Sequence, residues 1–177
     1  MLSRKQIQTL FISLNDRLSQ RGEVGEIGIV GGAVMCLVFN ARQSTKDIDA
    51  IFKPAALIRQ LVAQIAEEFN LEPNWLNDAA KGFLSGTFER VDVLNFSHLR
   101  VWAPEPRYML AMKVISARWD TLDRKDVIFL IGLLKLSTKE QVFAIVESFY
   151  PKKQIPPKTQ FFIEEVLESA TGRKKRK

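Results

Sequence analysis

The sequence predicts an α+β protein, with a small mixed β-sheet flanked by helices in the first part of the chain and a helical C-terminal half. Two observations predict it. Short apolar segments typical of buried strands alternate with helical periodicity up to Pro104, whereas helical periodicity alone remains after Pro106. We therefore divide the chain into an α/β core (residues 1–103), a helical subdomain (104–170) and a basic, disordered tail (171–177).

The first elements carry local signals of their own. Ser3 and Gln6 have the spacing of a capping box, and apolar residues then recur at helical spacing. Residues 26–30 have the composition of a short buried strand, which Gly31-Gly32 ends, and residues 33–39 are apolar enough for a core helix.

Further segments complete the predicted core. Residues 46–52 predict a second strand, and Pro54 suits the first turn of the helix that follows. Residues 88–96 and 99–102 predict two strands joined around Ser97-His98. The helix after Pro54 has an apolar stripe for the core, made of Leu57, Ile58, Leu61, Val62, Ile65 and Phe69.

Four helices are predicted beyond the prolines, and the third has capping-box residues at its start. They cover residues 107–119, 124–136, 139–150 and 159–170. No internal repeat is visible along the chain.

The composition excludes several classes of site. One cysteine, Cys36, and one histidine, His98, can form neither a disulfide framework nor a Cys/His zinc site. We expect Cys36 to be a core thiol and His98 a turn residue. Nothing at the N-terminus resembles a signal peptide, and the apolar runs are shorter than the roughly 20 residues that span a bilayer. We therefore expect a soluble, cytoplasmic protein without a membrane partner.

The net charge of +6 is concentrated at one end of the chain. The last five residues are all basic, and the rest of the chain has 21 basic and 20 acidic residues. A basic tail is either solvated or adds salt-sensitive affinity for RNA. The charge is thus a property of the tail and gives no argument about the fold.

Two carboxylates flank one apolar residue in the second predicted strand. Residues two apart on a strand point to the same face, so Asp47 and Asp49 should project together while Ile48 faces the core. Paired carboxylates that leave coordination positions open suit Mg²⁺ bound to phosphate. A solvated strand end is the alternative for the pair taken alone.

Gly31 and Gly32 lie between the first predicted strand and its helix. Glycines remove Cβ atoms where a backbone approaches closely, and a helix N-terminus offers free N–H groups to an anion. A tight strand-to-helix turn is the alternative. Together with the carboxylate pair, the glycines indicate one site, with a phosphate cradle beside a metal-binding pair.

The two motifs carry a resemblance to a known family. Residues 30–33 (VGGA) and 42–49 (RQSTKDID) resemble the signature of the DNA polymerase β-like nucleotidyltransferase superfamily, most of all its bacterial abortive-infection and toxin–antitoxin members. Residues 75–77 with 81–82 are similar to a segment in an uncharacterised bacterial branch. The resemblance extends over about residues 27–135.

The resemblance implies roles for the matching positions. Gly31-Gly32 would hold the triphosphate of an NTP, and Asp47 and Asp49 would bind two Mg²⁺ ions. A third carboxylate on a later strand would activate the acceptor hydroxyl and join the metal site; Asp92 is the candidate and Glu89 the runner-up.

The resemblance also implies that basic and loop residues contact the phosphates of the nucleotide, although each of these residues has an alternative structural role. Lys113 lies in an apolar helix, where a lysine must snorkel or find an anion. The family pattern of a lysine followed by Arg and spaced Asp residues assigns Lys113 and Arg118 to the nucleotide, whereas Asp123 and Asp126 also suit the start of the next helix. Three loop residues ahead of the aspartates could touch phosphate or form an ordinary loop: Arg42, Ser44 and Thr45.

The resemblance implies a Mg²⁺-dependent enzyme that transfers a nucleoside monophosphate from an NTP to a macromolecular hydroxyl. The acceptor would be an RNA 3′ end, such as that of tRNA, or a protein side chain, in a toxin–antitoxin or phage-defence setting with a cognate toxin or antitoxin partner. The alternative is a non-catalytic module of the same fold that binds nucleotide, RNA or a partner protein.

Overall fold

The structure, a computed structural model, describes residues 1–84, 86–117 and 121–170, and these have the predicted α+β fold. The chain divides into two compact units that are interleaved in sequence. Unit 1 comprises Met1–Gly82 and Arg90–Pro104, and unit 2 comprises Phe83–Glu89 and the residues from Glu105 onward.

Unit 1 contains a mixed sheet of five strands and a separate two-stranded sheet, as far as the described residues extend. Its helices are α1 (Arg4–Gln20), α2 (Gly31–Leu37) and α3 (Ala55–Glu68). Its strands are β1 (Leu2–Ser3), β2 (Gly25–Ile29), β3 (Ser44–Thr45), β4 (Ile48–Lys53), β5 (Leu76–Asn77), β6 (Arg90–Asn95) and β7 (Leu99–Pro104).

The larger sheet has the strand order β5-β4-β2-β7-β6. The central strand β2 pairs with β4 in antiparallel and with β7 in parallel orientation. Strand β5 runs parallel to β4, and the edge strand β6 is antiparallel to β7 with a bulge between Asp92 and Leu94. Strands β1 and β3 form the small antiparallel sheet.

The two faces of the larger sheet differ in chemistry. A Cβ atom on Gly25 would lie 2.8 Å from Leu18 Cδ1 and 3.5 Å from Ile58 Cδ1, so α1 and α3 cover this side of β2. The opposite side, which we call the polar face, carries Glu26 and Gly28 of β2 with their register partners. These are Ile51 and Lys53 of β4 and Arg100 and Trp102 of β7.

Unit 2 is helical, as the sequence predicts for this half. Its helices are α4 (Pro106–Ser116), α5 (Thr121–Leu133), α6 (Lys139–Phe149) and α7 (Lys158–Ala170), with a 3₁₀ turn at Lys152–Gln154. Tyr108 is fully buried, and its ring centroid lies 4.0 Å from that of Phe88 and 5.1 Å from that of Phe149. Aromatic packing therefore ties the short segment Phe83–Glu89 to this unit.

Most predicted elements form, with differences at their ends. The capping box of Ser3 and Gln6 is present, and Thr138 and Gln141 form a second one at α6. Pro54 precedes α3 as its N-cap instead of opening its first turn. Phe69 is 39% exposed, so its place in the inner stripe is wrong; it follows the last turn of α3.

Two predictions lie outside the described residues: the helical end at residues 118–119 and the basic tail at 171–177. Within the part of the chain that the structure describes, none of the helices combines the length and the apolar character needed to cross a membrane.

Candidate active site

Gly31 lies directly against Asp49. A Cβ atom on Gly31 would be 3.3 Å from Asp49 Oδ2, and the glycine has φ +63°, a conformation that L-residues rarely adopt. The backbone continues this contact, because the Val30 N–H donates to the Asp49 carbonyl oxygen at 2.9 Å. The turn after β2 and the start of β4 thus meet as the sequence motifs indicate.

Gly32 is enclosed by the loop that precedes β4. A Cβ atom there would lie 2.5 Å from Thr45 Oγ1 and 3.3 Å from Arg42 Nη1. The buried Thr45 hydroxyl in turn donates to the Asp47 carbonyl oxygen at 3.0 Å. Four of the predicted positions, separated by up to 15 residues in sequence, are therefore assembled around one turn: Gly32, Arg42, Thr45 and Asp47.

The two aspartates occupy different backbone positions. Strand β4 begins at Ile48, so Asp47 lies in a bend before the strand, and the prediction that both carboxylates belong to one strand is wrong. The Thr45 hydroxyl bond to the Asp47 carbonyl oxygen helps to define this bend. Both aspartates are half-buried and Ile48 between them is fully buried, so the apolar–polar alternation holds.

The N-terminal segment holds the loop in place, which the sequence analysis did not detect. Strand β1 pairs with β3, with Leu2 opposite Thr45 and Ser3 opposite Ser44. Leu2 is only 3% exposed. A two-residue strand has no periodicity, so the only signal was an apolar residue ahead of the capping box.

Strand β5 places an amide beside the metal-ligand candidates. Asn77, on a strand that the sequence did not predict, is the register partner of Asp49. Asn77 Oδ1 accepts from the Ala79 N–H at 3.0 Å. Next to it, hydrogen bonds from Lys81 and Arg59 lower the pKa of Asp78 to about 2, so this half-buried carboxylate is charged and already paired.

Asp92 does not join this group. It lies on the edge strand β6, opposite Trp102, and β7 and β2 separate β6 from β4. At about 4.8 Å per strand, Asp92 and the Asp49 strand are roughly 14 Å apart. Asp92 is exposed and accepts a hydrogen bond from Asn95 Nδ2 at 3.2 Å. The runner-up Glu89 belongs to unit 2.

Lys113 forms ion pairs with two aspartates of unit 2. Its Nζ lies 2.9 Å from Asp123 Oδ1 and 2.8 Å from Asp126 Oδ2. The side chains of Lys113 and Asp126 are only 7% and 2% exposed, so this is a buried ion pair. Arg118 lies outside the described residues.

Two tryptophans and the cysteine are buried. Trp75 is 2% exposed and its Nε1 donates to the Val62 carbonyl oxygen at 3.1 Å, and Trp102 is 5% exposed. Burial raises the pKa of the Cys36 thiol, against the opposing charges of Arg4 and Arg42, so Cys36 is a protonated core thiol. Trp119 lies outside the described residues.

The carboxylates fit Mg²⁺ on their chemistry. Mg²⁺ is commonly held by one or two carboxylates with water and substrate phosphates completing the octahedron, and Asp47 and Asp49 supply that number. Among residues 1–84, 86–117 and 121–170, no three His, Cys, Asp or Glu side chains come together as a metal cluster. Two carboxylates with open coordination positions are a donor set that suits an ion also bound by the phosphates of a nucleotide.

The fold and the paired motifs define a nucleotidyltransferase-like protein. Residues 5–151 match the family described as a nucleotidyltransferase of unknown function (DUF6036), and the chain belongs to this family. The match covers the glycine turn, the aspartate pair and most of both units. No curated protein and no solved structure matches the chain.

Proposed function

We propose that the chain is a Mg²⁺-dependent nucleotidyltransferase that moves a nucleoside monophosphate from an NTP to a macromolecular hydroxyl. The observation that carries the proposal is the approach of Gly31 to Asp49, since a side chain at position 31 would occupy the space beside Asp49 Oδ2. Family membership supports the same reaction class.

Each residue of the site has a proposed task. Gly31 keeps the space beside Asp49 Oδ2 clear for a phosphate oxygen, Gly32 allows Thr45 and Arg42 to approach the turn closely, and Arg42 adds positive charge there. Asp47 and Asp49 would hold Mg²⁺; the two ions implied by the resemblance would share these two carboxylates, because Asp92 lies three strands away.

The proposed reaction is a substitution at the α-phosphorus of the NTP. The acceptor hydroxyl loses its proton to solvent, its oxygen forms a bond to the α-phosphorus, the bond from the α-phosphorus to the bridging oxygen breaks, and pyrophosphate leaves with that oxygen. Bound Mg²⁺ supplies charge stabilisation for the transferring phosphoryl group and the leaving oxygen. The assignments of Lys113 and Arg118 to the phosphates remain predictions, as does the role of Ser44.

The test follows the label from each α-³²P-labelled NTP into bulk RNA and into protein, with Mg²⁺ and with EDTA. We expect incorporation by the wild type that EDTA abolishes, and a loss of at least about a hundredfold in Asp49→Asn. Asp16→Asn, an exposed aspartate on α1, is the matched control and should keep full activity. Absence of both NTP binding and label transfer in the wild type would contradict the proposal.

One observation favours a second candidate, a non-catalytic module of the same fold. Asp92, the expected third carboxylate, does not reach the aspartate pair. The two candidates differ in whether NTP is consumed. A nucleotide-binding module and the enzyme both bind NTP, but only the enzyme converts it to product. In an active enzyme, the Asp92→Asn variant tests the role of this residue, because an enzyme that uses only Asp47 and Asp49 keeps its activity.

We further propose that the reaction serves a toxin–antitoxin or phage-defence system in the bacterial cytoplasm. The support is the resemblance of residues 30–33 and 42–49 to that branch of the superfamily. Growth arrest on expression of the wild type, relieved by Asp49→Asn, is expected for a toxin. An antitoxin enzyme would instead modify and silence a co-expressed toxin.

A further inference from the structure

A second feature of the polar face lies at the far end of β4 from Asp49. A cleft of about 570 Å³ opens there, wholly within unit 1, and its polar lining is Glu26, Lys53 and Arg100. These three residues form one row across the sheet. Glu26 of β2 is the strand register partner of Lys53 in β4 on one side and of Arg100 in β7 on the other.

The charges in this row do not balance. Glu26 Oε1 already accepts from Arg90 Nη1 at 2.9 Å and from Trp102 Nε1 at 2.8 Å, and the Arg90 guanidinium stacks over the Trp102 ring at 4.3 Å. Lys53 and Arg100 are exposed, and neither side chain has a hydrogen-bond or ion-pair partner among the described residues. The row and its neighbour Arg90 therefore have three positive charges and one carboxylate. Arg90 already neutralises that carboxylate, so the charges of Lys53 and Arg100 are left over.

The cleft and Asp49 share one face of one sheet. Residues alternate along β4, so Asp49, Ile51 and Lys53 lie on the same side, opposite the buried Ile48, Ala50 and Phe52. Four residues along a strand place Lys53 about 13 Å from Asp49. Lys53 and Arg100, on either side of β2, are about 10 Å apart at their Cα atoms. A triphosphate held at Gly31 and Asp49 would not fill this second site.

We propose that the cleft binds the phosphodiester backbone of the acceptor, a single-stranded polynucleotide whose 3′ hydroxyl lies at the aspartate pair. The inference rests on the proposed function. Spaced cations on an exposed face match the repeated charge of a strand, and the five basic residues at the end of the sequence favour the same kind of ligand. The acceptor is then RNA or single-stranded DNA and not a protein side chain.

The test measures binding of a fluorescent 12-nucleotide RNA by anisotropy, without NTP or Mg²⁺, over a range of salt concentrations. For the double variant Lys53→Ala/Arg100→Ala we expect about tenfold weaker binding and a slope of log K against log salt that is smaller by about 1.4, as for two lost phosphate contacts. The matched control is Lys5→Ala/Arg21→Ala, which removes the same charges from two exposed positions, one on α1 and one at its C-cap. It should bind like the wild type.

Each outcome decides the proposal. Equal loss in both double variants, or none in either, overturns it, as does loss of NTP affinity in place of RNA affinity. Label transfer to protein but never to RNA also overturns it. Unchanged melting temperature with weakened binding supports it, since both side chains are exposed. Because the binding assay needs no catalysis, RNA binding through the cleft together with an inactive wild type would refute the proposed function and overturn the assignment of the ligand as an acceptor, leaving only an RNA-binding cleft.

Discussion

At the scale of single residues, two glycines of the chain share a positive φ but differ in their surroundings. Gly22 has φ +65° and no atom within 4 Å of an added Cβ, whereas Gly31 has φ +63° and Asp49 Oδ2 at 3.3 Å. An alanine would have a similarly unfavourable φ at both positions. Only at position 31 would its Cβ crowd the Asp49 carboxylate. The pair therefore separates backbone strain from damage to the site.

We expect Gly22→Ala and Gly31→Ala each to lower the free energy of unfolding by about 1–2 kcal/mol, measured by urea denaturation. Only Gly31→Ala should also weaken NTP binding, measured by calorimetry in the presence of Mg²⁺. If Gly22→Ala weakens NTP binding as much, the effect is general destabilisation and the Gly31–Asp49 contact has no role in binding.

A second residue-scale prediction concerns the buried lysine of unit 2. Replacing Lys113 by Met leaves the 2% exposed Asp126 without this cation, and removing one partner of a buried ion pair costs about 3–5 kcal/mol. Lys139 makes an exposed pair with Glu164 at 2.9 Å, so Lys139→Met is the control, with little change expected. Thermal and urea unfolding of both variants check this, and equal stability of the two would contradict it.

At the scale of elements, the short β1 strand connects a helix cap to the active-site loop. Ser3 caps α1, and the same residue is the register partner of Ser44 in β3. Thr138 caps α6 with the same capping-box geometry but belongs to the other unit. Loss of the two caps should therefore have similar effects on stability and different effects on the site.

We expect Ser3→Ala and Thr138→Ala each to cost about 1 kcal/mol in the free energy of unfolding. Only Ser3→Ala should lower NTP affinity, because the loop that carries Thr45 packs against Gly32 and depends on β1. Hydrogen exchange at residues 42–47 offers a direct measurement. Faster exchange in Thr138→Ala than in Ser3→Ala would refute the coupling.

The elements also show what the sequence can and cannot predict. Local signals such as capping residues, glycines and apolar periodicity predicted α1, β2, β4, α3 and the four C-terminal helices, because these depend on neighbours a few residues away. The pairings of β1 with β3 and of β5 with β4 join very short strands, which have no period to detect. The separation of Asp92 from the site has a different cause. Its strand β6 was predicted, but the order of strands in a sheet is a long-range property that local patterns do not contain.

At the scale of the whole molecule, the interleaving of the two units predicts which fragments fold. Strand β7 is the parallel neighbour of the central strand β2, and its Trp102 covers Gly28, where an added Cβ would lie 2.2 Å from the indole. A fragment of residues 1–82 lacks β6 and β7, whereas residues 1–104 contain all of unit 1. We expect only the longer fragment to melt cooperatively by circular dichroism. A cooperative transition in the shorter fragment would contradict this.

The position of β7 also has a consequence during synthesis on the ribosome. When residue 82 has emerged, β2 still has one bare edge of N–H and C=O groups, and an open edge invites pairing with other chains. That edge closes only after Pro104 has followed, with a short excursion of the chain through the segment that belongs to unit 2. A pause in translation between residues 82 and 104 would prolong the time during which this edge of β2 is open to pairing with other chains.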